Sequence, residues 1–341
     1  MPGARDRSGG RLRRSTVAWI ALGATAAIAV ALGAVWHFGG ESTARLASAE
    51  TKVCLAPLTD DQGRHPGMVW VPGGSYRMGD TVYPEERPMR EVTVPGFWID
   101  RHEVTNRQFA EFVAATGYVT VAERPVDTKI HPDLPPELAK PGAVVFIMPN
   151  DVNGLGDISQ WWHYVPGANW RHPAGPGSSI EEHGNFPVVD LAYEDIAAYA
   201  RWKGRAIPTE AQWEWAGRGG TSGLPQHEQP RDANTWQGIF PVLNTADDGF
   251  VGVAPVGCYK PNPYGLYDMI GNVWEWTSDI YSENHAPNAS TDSSRRVIKG
   301  GSYLCASNYC MRYRSGSRQG QEADLATSHL GFRTVLAAPG P

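Results

Sequence analysis

The sequence lacks the signatures of the common enzyme classes. There is no Gly-x-Ser-x-Gly elbow, no His-Glu-x-x-His helix and no P-loop, which removes the usual hydrolase, zincin and nucleotide-binding readings. No EF-hand loop and no collagen-like glycine period occur. Basic residues are concentrated only at the start, where Arg5, Arg7, Arg11, Arg13 and Arg14 against Asp6 give +4. That leaves −10 for the remainder of a chain whose net charge is −6, an acidic body without a footprint for nucleic acid. A second apolar run of bilayer length is also missing, so the chain crosses a membrane once at most. Cysteine is scarce, at four residues. What is abundant is glycine (38), proline (27) and tryptophan (13) among 341 residues, which argues against long helices and solenoids. Large rings joined by irregular, Gly-rich backbone point to an α+β fold low in regular secondary structure.

Residues 15–38 form a transmembrane signal anchor by this reading. Val17 to Trp36 is uncharged and long enough to span, and the arginines lie immediately before it. Residues 1–14 are then a basic cytoplasmic tail, 39–65 a polar tether and 66–338 an extracytoplasmic domain. A cleaved signal peptide is the competing reading, since Ala47-Ser48-Ala49 has the small-x-small pattern, but it sits well past the apolar run.

Within the body, Met68 to Gly79 and Glu91 to Asp100 read as early strands. Thr105-Asn-Arg-Gln108 is a capping box that starts a helix closed by Gly117. A second helix is expected over Tyr193–Lys203 with Gly204 as its stop, and a third after Thr209, capped by Gln212. Arg124 to Pro187 shows no sustained period and reads as a long ordered insertion. Gly-Gly-Ser-Tyr occurs twice, at 73–76 and 300–303, and is taken as two similar strand ends.

Candidate chemistry centres on Cys305 and Cys310. A separation of five puts them on opposite faces of a strand and well apart around a helix, so their sulfurs converge only if the segment loops. The spacing leaves a structural disulfide, a redox pair or a soft two-sulfur site for Cu(I) open. Oxygen donors cluster around Asn234, Asp247 and Asp248 and in Asp268-Met-Ile-Gly-Asn-Val-Trp-Glu-Trp276, a chemistry that Ca²⁺ accepts and that solvated turns also use.

Several segments taken in order resemble the formylglycine-generating enzyme family, the sulfatase-modifying factors. They are Val71-Pro-Gly-Gly-Ser-Tyr-Arg-Met-Gly79, Asp100-Arg-His-Glu-Val-Thr-Asn106, Pro166-Gly-Ala-Asn-Trp-Arg-His-Pro173, Pro208-Thr-Glu-Ala-Gln-Trp-Glu-Trp215, Gly271-Asn-Val-Trp-Glu-Trp-Thr277, Lys299-Gly-Gly-Ser-Tyr303 and Leu330-Gly-Phe-Arg333. The resemblance implies a single C-type-lectin-like α+β domain. It also implies O2-dependent oxidation of a cysteine in an unfolded or extended sulfatase peptide of the Cys-x-Pro-x-Arg type to Cα-formylglycine. Cys305 and Cys310 would hold Cu(I), Ser302 and Tyr309 would line the O2 and thiol pocket, and Trp274 would pack over it. Two structural Ca²⁺ sites are implied as well. The first has the side chains of Asn234 and Asp248 with the carbonyls of Thr235 and Phe250; the second has those of Asp268 and Glu275 with the carbonyls of Gly271 and Val273.

The chain also departs from the family pattern. Ala306 stands where many active members have His, and Ser315-Gly-Ser-Arg318 replaces Ala-Ala-Arg-Ser. The disulfide cysteines of secretory-pathway members are absent at Ala200, Gly217, Ser315 and Thr334, and Cys54 and Cys258 have no assigned role. Two alternatives accompany the oxidase: a catalytically silent binding or maturation module on the same scaffold, and an oxidase for a different exported peptide.

Overall fold

The computed structural model describes residues 54, 65–126, 135–136, 138–221, 227–285 and 294–337. All belong to one compact unit, Thr51–Pro341. The expected anchor lies outside the described residues, among which no helix is long and apolar enough to cross a membrane.

The two expected early strands are four: β1 (Met68–Val71), β2 (Gly74–Met78), β3 (Arg90–Val94) and β4 (Phe97–Asp100). β1 pairs antiparallel with β4, while β2 and β3 form a separate ribbon. Helix α1 (Asn106–Thr116) starts at the expected capping box. The Gln108 amide donates to Thr105 Oγ1 at 3.3 Å, and Gln108 Oε1 accepts the Thr105 amide at 2.9 Å. Gly117, at φ 67°, ends it. The insertion carries a hairpin, β5 (Gly142–Phe146) with β6 (Trp162–Pro166). Its strands are joined by the long segment 147–161, so no tight-turn signal marks them. Helices α2 (Tyr193–Trp202) and α3 (Glu210–Gly217) fall where the capping and glycine signals place them.

After a two-residue ribbon, β7 (Gly238–Ile239) and β8 (Leu243–Asn244), comes the longest strand, β9 (Trp274–Ile280). It lies inside a four-stranded sheet with β10 (Arg295–Lys299), β11 (Gln319–Glu322) and β12 (Leu330–Gly331), in the order β11-β10-β9-β12. β13 (Val335–Leu336) returns to pair with β4. The two Gly-Gly-Ser-Tyr copies are unlike. The first enters β2, whereas the second leaves β10 through two left-handed glycines, Gly300 at φ 96° and Gly301 at φ 74°.

Aromatic rings fill the core. Phe109 meets Phe112, Trp170 and Tyr199 at centroid distances of 5.3, 5.1 and 5.9 Å, and Trp274, Trp276 and Phe332 join the same cluster. Between the rings lies a layer of buried charge that no periodicity announced. Arg333 pairs with Glu275 at 2.6 Å, Lys299 with Glu214 at 2.9 Å and Arg318 with Glu210 at 2.9 Å, all out of water. Arg333→Met would leave Glu275 buried with its charge unmatched, a change that costs about 3–5 kcal/mol. The expected outcome is a drop of that size in stability by urea unfolding, against a small effect of Lys260→Met in the exposed Lys260–Asp232 pair.

Candidate functional site

The Cys305 and Cys310 segment begins where β10 ends. Lys299 is buried against Glu214, and the chain then reverses at Gly300 and Gly301. A Cβ on Gly301 would lie 2.7 Å from the Arg312 carbonyl oxygen and 3.1 Å from Cys305 Sγ, so only glycine lets the strand end come this close to the sulfur. Ser302 is buried. Its carbonyl accepts the Cys305 amide at 2.9 Å, its Oγ accepts the Leu304 amide at 3.2 Å, and its amide faces Cys305 Sγ at 3.5 Å. Ser302 therefore shapes the turn that aims the first sulfur.

The segment loops, and both thiols are free. Their sulfurs lie 3.1 Å apart, beyond a covalent disulfide and within a sulfur hydrogen bond. Cys305 is 1% exposed and Cys310 half-buried. Burial, and then the neighbouring sulfur, push the Cys305 thiol up. The hydrogen bond from Cys305, with the Arg312 charge, brings Cys310 down to about 7. At neutral pH the proton stays on Cys305, donated to a Cys310 sulfur that is about half thiolate. Two adjacent soft donors, the first buried and the second readily ionised, suit a monovalent soft cation.

Beside the cysteine segment stands an aromatic box. Tyr309, 37% exposed, stacks on Phe240 at 4.5 Å and 7° and meets the edge of Trp161 at 5.8 Å. Trp236 closes on Phe240 at 5.2 Å, and its amide donates to the Cys305 carbonyl at 3.0 Å. Trp274 is buried in the cluster that contains Cys305 and Cys310. An apolar cavity of about 290 Å³ adjoins the box, sharing Phe146, Val253 and Tyr303 with it.

Sequence reasoning missed the other wall of the site, a turn over Tyr83–Glu86. The Tyr83 hydroxyl accepts the Met311 amide at 3.1 Å, Glu85 pairs with Arg312 at 2.5 Å, and Glu86 and Asp80 pair with the buried Arg314. Tyr83, Glu85 and Glu86 lie more than two hundred residues from the cysteines, with no local signal linking them. Arg318, in the stretch that departs from the family pattern, is buried on Glu210.

Of the oxygen-donor sets, the first is laced together by amide donors, and its Thr235 carbonyl already accepts Gln237 Nε2 at 3.0 Å. Asp248 Oδ2 accepts the Thr235 amide at 3.0 Å and Oδ1 the Phe250 amide at 3.1 Å, while Asn234 Nδ2 points at Gly252 O and Asn272 Oδ1, turning its oxygen the other way. In the second, Asp268 is buried with Oδ2 on the Gly257 amide at 2.5 Å, and burial raises its carboxyl to about 6. Glu275 there is already engaged: Arg333 donates to both of its oxygens and Trp213 Nε1 to Oε2 at 2.7 Å. Glu103, also missed, is buried beside this set. Its Oε1 accepts Asn272 Nδ2 at 3.0 Å, and its Oε2 has no partner among the described residues. Cys258, unassigned from sequence, forms a disulfide with Cys54, between Gly257 on Asp268 and Tyr259, whose hydroxyl donates to the Asp248 carbonyl.

A family model described as a sulfatase-modifying factor enzyme 1-like domain matches residues 56–338. The chain belongs to the sulfatase-modifying factor family. Among its relatives, a formylglycine-generating enzyme of Mycobacterium tuberculosis is 49% identical over 289 residues, 79% of this chain and 97% of that protein. An inactive C-alpha-formylglycine-generating enzyme 2 of Mus musculus is 40% identical over 81% of this chain and 87% of its own. PvdO from Pseudomonas aeruginosa superposes with a TM-score of 0.52 over 79% of this chain and 93% of that one, at 24% identity, which shows the fold alone. High identity within the family thus extends to proteins named active and inactive alike.

The pair's ionisation gives a direct check. In the metal-free reduced protein, alkylation of Cys310 should rise with pH through a midpoint near 7, because the thiolate is the nucleophile, while Cys305 stays protected. Peptide mapping after brief iodoacetamide exposure from pH 5 to 9 reads both. Equal labelling of the two, or a midpoint near the ordinary thiol value, would refute the assignment.

Proposed function

We propose that this protein oxidises a cysteine of the Cys-x-Pro-x-Arg type in a sulfatase peptide to Cα-formylglycine, with O2 as oxidant and Cu(I) held by Cys305 and Cys310. The observation that carries the reading is the pair of free sulfurs, 3.1 Å apart, directly behind Gly300-Gly301-Ser302-Tyr303 in a chain of this family. Bound there, copper would supply the one-electron chemistry that lets a thiolate react with O2. The protein's own residues do the rest. The Gly301 turn and Ser302 hold the first sulfur, Cys310 is partly exposed, and the exposed Tyr309 beside it is held in place by stacking on Phe240. Taking a cysteine to the aldehyde removes two electrons and releases sulfide. Reducing O2 to water consumes four, so an external two-electron reductant such as a dithiol completes the balance.

Ca²⁺ in this reading is structural, tying loops that lack ladder hydrogen bonds; at the second set Arg333 already neutralises Glu275. We place the domain on the extracytoplasmic side of a single N-terminal anchor. The basic tail before the apolar run supports this, as does the Cys54–Cys258 disulfide, a bond that persists in oxidising compartments.

Two measurements test these assignments. Aerobic incubation of the copper-loaded full chain with a Cys-x-Pro-x-Arg peptide and a dithiol should yield the aldehyde by mass spectrometry, lost in Cys305→Ser and Cys310→Ser. Absence of aldehyde with copper loading verified would refute the oxidase and favour the silent module. For calcium, chelation should lower the melting temperature of wild type and leave Asp248→Ala unmoved. An unchanged wild type would remove the calcium assignment.

A further inference from the structure

A metal held by two thiolates has a charge to balance. Two thiolates around a monovalent cation carry −1, and a substrate thiolate would make it −2, beside a sulfur that is fully buried. Charge in such a place needs a partner. The arginine that the fold brings to the pair is Arg312, two residues after Cys310: its carbonyl oxygen and Cys305 Sγ crowd the same side of Gly301, 2.7 and 3.1 Å from where a Cβ would stand. Its guanidinium lies 4.0 Å from the Tyr83 ring centroid and its Nη2 donates to Glu85 Oε1 at 2.5 Å, while its buried Nε has no hydrogen-bond partner among the described residues. Tyr83 is in turn fastened by its hydroxyl to the Met311 amide, between Cys310 and Arg312. The next arginines are committed elsewhere, Arg314 to Asp80 and Glu86 and Arg318 to Glu210.

We propose that Arg312, held by the Tyr83–Glu86 turn, is the counter-cation of the cysteine pair, and that Glu85 withdraws part of its charge. Arg312 is then a positioning residue that sets how tightly the pair holds Cu(I). The inference rests on the copper reading above. It has a signature that a packing role lacks. Removing Arg312 and removing the Glu85 carboxylate both break the same ion pair, yet they change the charge facing the sulfurs in opposite directions.

The test is competition for Cu(I) between the reduced full chain and a chromophoric Cu(I) chelator, anaerobically, at fixed pH and ionic strength. Arg312→Met should weaken binding at least tenfold, Arg312→Lys should restore most of the loss, and Glu85→Gln should tighten binding severalfold. Near-UV circular dichroism identifies any variant that has lost its fold, and Glu85→Gln decides the matter if Arg312→Met has. Weaker binding in Glu85→Gln, or wild-type binding in a folded Arg312→Met, overturns the role of Arg312 alone. Cu(I) binding that is absent from wild type, or unchanged when both cysteines are serine, overturns the copper reading and this inference together.

Discussion

Two sulfurs five residues apart must be held side by side without a bond between them, in a segment that neither a helix nor a strand can supply. Everything around residues 299–314 serves that constraint. The loop cannot support itself with ladder hydrogen bonds, so its ends are fixed by buried charge: Lys299 on Glu214 before the turn, and Arg314 on Asp80 and Glu86 after it. Between these anchors, left-handed Gly300 and Gly301 let the backbone pass close to Cys305, and the Asn272 carbonyl holds the Tyr303 amide at 2.9 Å.

The same buried ions link the site to the rest of the fold. Glu214 and Glu210 lie on α3, which packs on β2, β3, β9 and β10, and Arg333 joins the C-terminal return of the chain to Glu275 at the start of β9. Breaking a buried pair is costly, and replacing both partners with apolar residues can be nearly neutral. Retention of so many pairs under an irregular, glycine-rich surface is consistent with their fixing one arrangement of loops that apolar packing alone would leave underdetermined. The Cys54–Cys258 bond ties Cys54 to the segment whose Gly257 and Tyr259 contact Asp268 and Asp248.

Much of this was legible in the residues because it is local. Thr105 with Gln108 and Thr209 with Gln212 announce their helices by reciprocal hydrogen bonds within one turn, and Gly117 announces an end by its φ. The cysteine spacing lets the sulfurs converge only through a loop, and a loop with the sulfurs 3.1 Å apart is what the structure shows. The illegible parts are the distant ones. Nothing near Tyr83, Glu85 or Glu86 records that they wall a site more than two hundred residues away. Glu103 carries no local signal either, and its burial beside Asp268 exists only in three dimensions. The hairpin β5–β6 escaped because its strands are joined by a long loop. The Cys54–Cys258 pairing escaped because four cysteines permit several connectivities. The Gly-Gly-Ser-Tyr echo misled for the opposite reason, since identical tetrapeptides adopt different backbones when one enters a strand and the other must turn away from it.

The central claim is that Cys305 and Cys310 together form a soft-metal site with a place for one further thiolate. X-ray absorption at the copper edge, on the Cu(I)-loaded protein before and after addition of a Cys-x-Pro-x-Arg peptide, tests it most directly. The account predicts sulfur scatterers alone before the peptide, with their number rising by one when it binds and no such rise with a Ser-x-Pro-x-Arg peptide. A nitrogen- or oxygen-dominated shell, or a sulfur count unchanged by the cysteine peptide, would contradict it.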